Sequence, residues 1–173
     1  MADETRTVQA GGWHDAVAAG RDEGFAFFDW LSAVDRADDA AAPGVDLVCH
    51  LYDIATPGAL RGLLLTTRVA DGEPVASVTD VFAGAAWHER ETHEMFGVEF
   101  AGFDDGTGLG VRPLLLPDGF EGTPLRKSFQ LAARATKPWP GGKEPGEGHE
   151  SARSPSRRRV QAAGVPPPEW GPR

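Results

Sequence analysis

Two histidines, four acids and an arginine crowd into "AAWHERETHEMFGVEF", residues 85 to 100, and three chemistries could draw on them. The first is metal binding. A zincin helix carries H-E-x-x-H, with histidines four apart that project from one face onto a single zinc. His88 and His93 are five apart, about 140° around a helix at roughly 100° per residue, so closing both on one ion is difficult. The second is general acid/base work by a carboxylate pair. Glu89, Glu91 and Glu94 spread around the helix, and no nucleophile lies near them in sequence. The third is a charged surface, either solvated or covered by a partner.

On a helical wheel Phe82, Ala86, Arg90, His93 and Phe96 fall on one strip, so a charge interrupts an apolar stripe. That pattern fits a packed, hydrogen-bonded ion cluster or an interface better than plain solvated surface. Glu89 with His93, and Arg90 with Glu94, stand four apart and are placed to support one another. Thr79 or Asp80 is expected as N-cap and Gly97 as the left-handed residue that ends the helix. Gly84 is expected to interrupt the early turns, splitting the stretch into two short helices.

The elements that must position this helix are read from the rest of the chain. "GGWHDAVAAGRDEG" and "FAFFDWLSAVDRADDA" read as helices, the second with Phe27, Leu31 and Val34 on one side. "VDLVCHLYDI" (45–54), "ALRGLLLTTRVA" (59–70) and the short "VASV" read as strands joined by the turn formers "TPG" and "DGEP". The expected fold is α+β, with helices on one face of a largely antiparallel or mixed sheet. Residues 1–22 are read as a partly helical lead-in, 23–100 as the α+β domain, 101–136 as an irregular docking segment, and 137–173 as a Pro/Gly-rich tail. That tail has too few aliphatic residues for a core of its own. Trp139 and Trp170, set among prolines, are candidate anchors for a partner.

Composition narrows the function. At 173 residues the chain is one domain with an appendage. It holds no apolar run near the roughly 18 residues of a membrane span, and its start lacks the basic and apolar regions of a signal peptide. A cytoplasmic setting is expected. Cys49, the single cysteine, cannot by itself hold an iron–sulfur cluster or structural zinc, and within a strand-like run it reads as a small buried hydrophobe. From Arg134 to Arg173 there are 8 Lys/Arg and 4 Asp/Glu, a net +4; the chain before Arg134 carries 9 against 22, a net −13. An acidic body argues against nucleic-acid binding, and "SRRR" at 156–159 is too short to reverse that.

The stretch "SVTDVFAGAAWHERETHEMFGVEF" followed by "LLLPDGFEGTPLRKSF" resembles the thirty-kilodalton subunit family of respiratory complex I, the C-subunit of bacterial NADH:quinone oxidoreductase. The resemblance rests on Trp87, Glu89, Arg90 and Glu91, on Glu94, Phe96 and Gly97, and on Glu121, Gly122, Pro124, Leu125, Arg126 and Lys127, and covers about residues 23 to 130. It implies a peripheral-arm subunit without cofactor or catalytic residue, docked on the large forty-nine-kilodalton-type partner (the D-subunit) and on neighbouring hydrophilic subunits. By this resemblance Glu89, Arg90 and Glu91 hold and dock the signature helix, and Pro124 to Lys127 fix the crossing onto the partner, with the C-terminal segment wrapping it. FMN and iron–sulfur clusters would lie in partner subunits, with NADH and quinone as substrates of the assembly. Attachment to the cytoplasmic side of the membrane would come only through that assembly.

The chain departs from the family at Gly102-Phe103-Asp104 with the following "DGTGLGVRP", at Thr123 and at Ser128. These departures leave open a related assembly fed by ferredoxin or a deazaflavin, or one built around a membrane-bound hydrogenase. A separate reading, a metal-dependent hydrolase using His88, His93 and a glutamate, makes a contrasting prediction of bound zinc.

Overall fold

The computed structural model describes residues 4–129. Strands β1 (Glu4–Val8), β2 (Phe27–Asp35), β3 (Val45–Asp53) and β4 (Arg61–Val69) form one mixed sheet in the order β1-β4-β3-β2. Strands β2, β3 and β4 are antiparallel neighbours, while β1 lies parallel to β4. Helices α1 (Trp13–Asp22) and α2 (Ala85–Phe96) lie against the sheet, and β5 (Val75–Ala76) pairs in parallel with β6 (Phe100–Ala101) on either side of α2. This is the α+β arrangement the sequence implies.

Alternation explains the sheet. Val45, Leu47, Cys49 and Leu51 of β3, and Leu63, Leu65 and Val69 of β4, are buried in one core cluster with Trp13 and Val17 of α1. Val48, Tyr52, Leu64 and Thr66 alternate with them and are only partly covered. Trp13, Val17 and Gly20 are the buried residues of α1, spaced as one helical face. A Cβ at Gly20 would stand 2.9 Å from Leu63 Cδ2, so the missing side chain is what lets α1 sit close to the sheet.

One expectation fails here. "FAFFDWLSAVDRADDA" is not helical. Its core is β2, with Leu31, Ala33 and Asp35 buried and Trp30 and Val34 exposed. A register shift between Phe28 and Trp30 breaks the period of two and leaves Phe27, Leu31 and Val34 at helix-like spacing. Residues 1–22, read as partly helical, hold α1 and in addition β1, which extends the sheet. Its polar sequence, ETRTV, carries Thr5 and Thr7 at alternate positions but no apolar signal.

The expected N-cap is also displaced. Residues 79–84 form turns, α2 begins after Gly84, and no side chain caps it. Asp80 instead bonds His14 of α1 at 2.9 Å, and Thr79 joins a buried network described below. Gly97 does end α2, at φ 76°. Among the described residues no helix is long and apolar enough to cross a membrane. Trp139, Trp170 and the "SRRR" run lie outside the described residues.

Candidate docking site

Helix α2 is the hub, and its Glu89, Arg90 and Glu94 bind backbone groups and one serine hydroxyl rather than one another. Glu89 is fully buried. One carboxylate oxygen accepts from the Val78 amide at 2.7 Å, and the other from the Ser77 hydroxyl at 2.7 Å. Ser77 Oγ lies 2.8 Å from Thr79 Oγ1, which accepts from the Asp104 amide at 3.2 Å. This chain of contacts ties the helix to the strand before it and to the segment after β6. Burial without a cationic partner pushes the Glu89 carboxyl up to about 7, although its two hydrogen bonds pull the other way.

Arg90 and Glu94 grip one segment from the same side. Arg90, 7 % exposed, donates to the carbonyls of Arg112 at 3.1 Å and Pro113 at 2.6 Å. Glu94 accepts from the next two amides, Leu114 at 2.5 Å and Leu115 at 2.8 Å. The expected pairings of Glu89 with His93 and Arg90 with Glu94 are therefore replaced by bonds to chain segments distant in sequence. An irregular stretch, with no ladder of its own, obtains fixed geometry this way. Farther upstream it is held by Asp105, which pairs with Arg112 and accepts from the Thr107 amide at 3.1 Å. Phe103, one of the residues departing from the family pattern, packs against the core.

Beyond α2, the Pro124–Lys127 stretch is fastened to this chain's own body. The Leu125 amide donates to Met95 O at 3.0 Å. Arg126 reaches Phe96 O at 2.6 Å, Asp35 at 3.0 Å, Gly44 O at 3.3 Å and Asp71 at 2.6 Å. The Lys127 amide donates to the second Asp35 oxygen at 2.7 Å, and its ammonium group to Asp38 at 2.7 Å. Burial works to raise the Asp35 carboxyl, but these bonds and one from the Ala37 amide outweigh it and hold it below the usual range. Thr123 is set against the end of α2: a Cβ at Gly97 would stand 3.2 Å from its methyl.

The remaining signature residues differ in exposure. Phe96 is buried, whereas Glu91, Glu121, Gly122 and Ser128 face solvent. Trp87 is 64 % exposed, with the Arg90 guanidinium 5.7 Å from its ring centre. Leu109, Leu115 and Leu125 are more than half exposed on the segment that α2 holds. Large apolar side chains displayed on backbone that is fixed from beneath have the form of a docking surface.

The histidines do not converge. His88 Nδ1 lies 3.1 Å from Leu31 O, while His93 Nδ1 lies 2.9 Å from Val98 O. Among the described residues, no group of three or more His, Cys, Asp or Glu side chains is placed to hold a metal ion. Cys49 is buried, and burial, followed by the charges of Glu89 and Asp29, raises its thiol far above the ordinary value.

Sequence reasoning named one side of most of these contacts and missed the other. Asp35 was hidden by the helical reading of β2; an acid at an inward strand position is the signal that would have exposed it. Ser77, Asp71 and Arg112 carried no such signal.

The fold and site define a small α+β scaffold whose signature helix fixes an irregular, apolar-decorated segment. The chain belongs to the family described as the 30 Kd subunit of respiratory-chain NADH dehydrogenase, whose pattern matches residues 6–135. It is 36 % identical over 118 residues to the second NADH-quinone oxidoreductase C-subunit of Rhizobium etli, covering 68 % of this chain and 59 % of that protein. It is 32 % identical over 120 residues to the C-subunit of Chlorobium phaeobacteroides, covering 69 % and 68 %. The chain thus spans about three fifths to two thirds of the length of these relatives. Two solved structures share the fold. One is a trypsin-resistant fragment of Nqo5, at TM-score 0.51 and 20 % identity over 58 % of this chain and 80 % of that one. The other belongs to an archaeal membrane-bound sulfane sulfur reductase, at 0.52 and 22 % over 64 % of each chain.

Proposed function

We propose that this chain is a non-catalytic peripheral-arm subunit of an NADH:quinone oxidoreductase, docking on the large forty-nine-kilodalton-type subunit and supporting assembly near the quinone site. The carrying observation is the set of exposed side chains Trp87, Leu115 and Leu125 beside α2, on backbone held by buried Arg90, by Glu94 and by the Met95 carbonyl. Burying rigid apolar anchors on a partner costs little ordering entropy, which favours tight association. FMN and iron–sulfur clusters belong, on this reading, to neighbouring subunits, and NADH and quinone are substrates of the whole assembly. The chain would lie on the cytoplasmic side, reaching the membrane only through its partners.

The test is a gentle-detergent purification of the tagged chain from its native membranes, with co-purifying subunits identified by mass spectrometry and NADH:quinone activity assayed. The expected result is recovery of the large docking partner with the flavin and iron–sulfur subunits, and with activity. Recovery without an NADH-oxidising module would assign the chain to an assembly with another donor. A lone chain carrying stoichiometric zinc would overturn the reading in favour of a hydrolase.

A further inference from the structure

A cavity of about 260 Å³ lies between the C-terminal half of α2 and the loop it holds, lined among others by His93, Val111, Pro113, Leu116, Pro117 and Phe120. Its walls are fixed from several sides. Arg90 and Glu94 bind the backbone of residues 112–115, the Leu125 amide binds Met95 O, and Phe120 stacks on Phe129 with ring centres 6.0 Å apart. Pro113 and Pro117 are exposed, so the cavity reaches the surface. The displayed leucines share its backbone: Leu115 precedes the lining residue Leu116, and Leu125 follows the lining residue Thr123 by two positions.

The lining selects its occupant. Its charged groups are already engaged, Glu94 by two amides and Arg112 by Asp105. A charged side chain entering the cavity would lose its water without gaining a free counter-ion. Size argues for a large apolar group: a cavity of about 150 Å³ accepts benzene, so this one has room for a two-ring side chain. One polar feature is left. His93 Nδ1 lies 2.9 Å from Val98 O, which can only accept, so in the neutral ring Nδ1 carries the proton and Nε2 is left as a hydrogen-bond acceptor. Indole combines two apolar rings with a single N–H donor, and proline, leucine and phenylalanine would cover its faces.

We propose that the cavity between α2 and residues 111–123 is a socket for a tryptophan of the docking subunit, with the displayed Leu115 and Leu125 excluding water around it. This rests on the docking role proposed above and adds to it the chemistry of the contact. Anchors of this type enter well-packed, desolvated pockets ringed by weaker contacts that keep water out. Walls already fixed before the encounter lower the ordering cost of association.

The experiment places a diazirine analogue of leucine at position 116 of the full tagged chain, irradiates the purified assembly and identifies the cross-linked peptides by mass spectrometry. The main cross-link is expected at a tryptophan of a different subunit. Leu116→Trp, which fills the cavity from within, should lower recovery of that subunit at least ten-fold, whereas Leu116→Met, close in volume, should leave it unchanged. Replacing the cross-linked tryptophan by glycine in the partner should restore most of the recovery lost in Leu116→Trp, and this rescue separates a filled socket from a misfolded variant. A cross-link to an aliphatic or charged residue, to this chain itself or to a second copy would overturn the socket. So would full recovery of the assembly without any cross-link at position 116, or with Leu116→Trp. A tagged chain that recovers no other subunit would overturn the docking role itself, and the socket with it.

Discussion

On the inner side of α2 a carboxylate, Glu89, is buried among neutral donors, whereas at the end of the helix a partly exposed guanidinium, Arg126, bridges the buried carboxylate of Asp35 and the exposed one of Asp71. The first arrangement satisfies hydrogen bonds but not charge, so ionisation of Glu89 is opposed and its titration moves up to about 7. The second satisfies both, and Asp35 stays ionised to below its usual range. Two buried acids on one scaffold therefore respond oppositely to pH, and the difference lies in whether a cation was placed beside them.

Breaking the charged clamp should have the largest effect. Arg126→Ala leaves Asp35 buried with its main cation gone, and removing one partner of such a pair costs about 3–5 kcal/mol. A drop of that size in denaturant-unfolding stability at pH 7 is expected, and a loss below about 1 kcal/mol would show that the clamp is solvated. Glu89 sharpens the contrast. Its folded value lies above its ordinary one, so the stability it contributes is fully present below pH 4.5 and is lost as pH rises through 7. The decline amounts to roughly 3 kcal/mol by linkage. Glu89→Gln should be nearly neutral at pH 5 and more stable than the parent at pH 8, because the uncharged amide accepts from Val78 N–H through its oxygen and donates to Ser77 Oγ through its NH2, reversing that bond. Equal stability changes at the two pH values would refute the assignment. Asp35 predicts the reverse trend, with stability lost as pH falls below about 4.

Smaller effects separate the held segment from the surface it presents. Arg90→Ala strands two backbone carbonyls and should cost about 1–3 kcal/mol, read as faster proteolysis around residues 112–115 before global unfolding. Trp87→Ala should change stability by no more than about 0.5 kcal/mol while lowering recovery of the co-purified assembly. A variant that unfolds the domain, or that assembles normally, would remove Trp87 from the docking surface.

Much of this scaffold could be read from residues alone, for reasons that also explain the failures. Strands β3 and β4 advertise themselves by alternation and by the "TPG" turn, and α2 by its apolar strip and terminal Gly97. Strand β2 was concealed by one irregularity in its register, and β1 by a composition suited to a polar sheet edge. In the site, Arg90, Glu94 and Arg126 stood out as charges needing partners. Their partners are mostly main-chain groups in aperiodic stretches, and backbone carbonyls and amides carry no sequence signal. Glu89 fell outside the apolar strip of the wheel and proved the most deeply buried of the described charged residues.

The contact between Asp35 and Arg126 joins residues 91 positions apart, and synthesis gives that separation a temporal meaning. At about 5–20 residues per second, several seconds pass between completion of the β4 strand and emergence of the arginine that neutralises the β2 carboxylate. During that interval the nascent sheet holds an acid facing its core without a counter-ion. The domain is thereby prevented from reaching full stability before the signature helix and the docking segment have both left the ribosome, so the unit that first becomes durable is one already equipped to meet its partner.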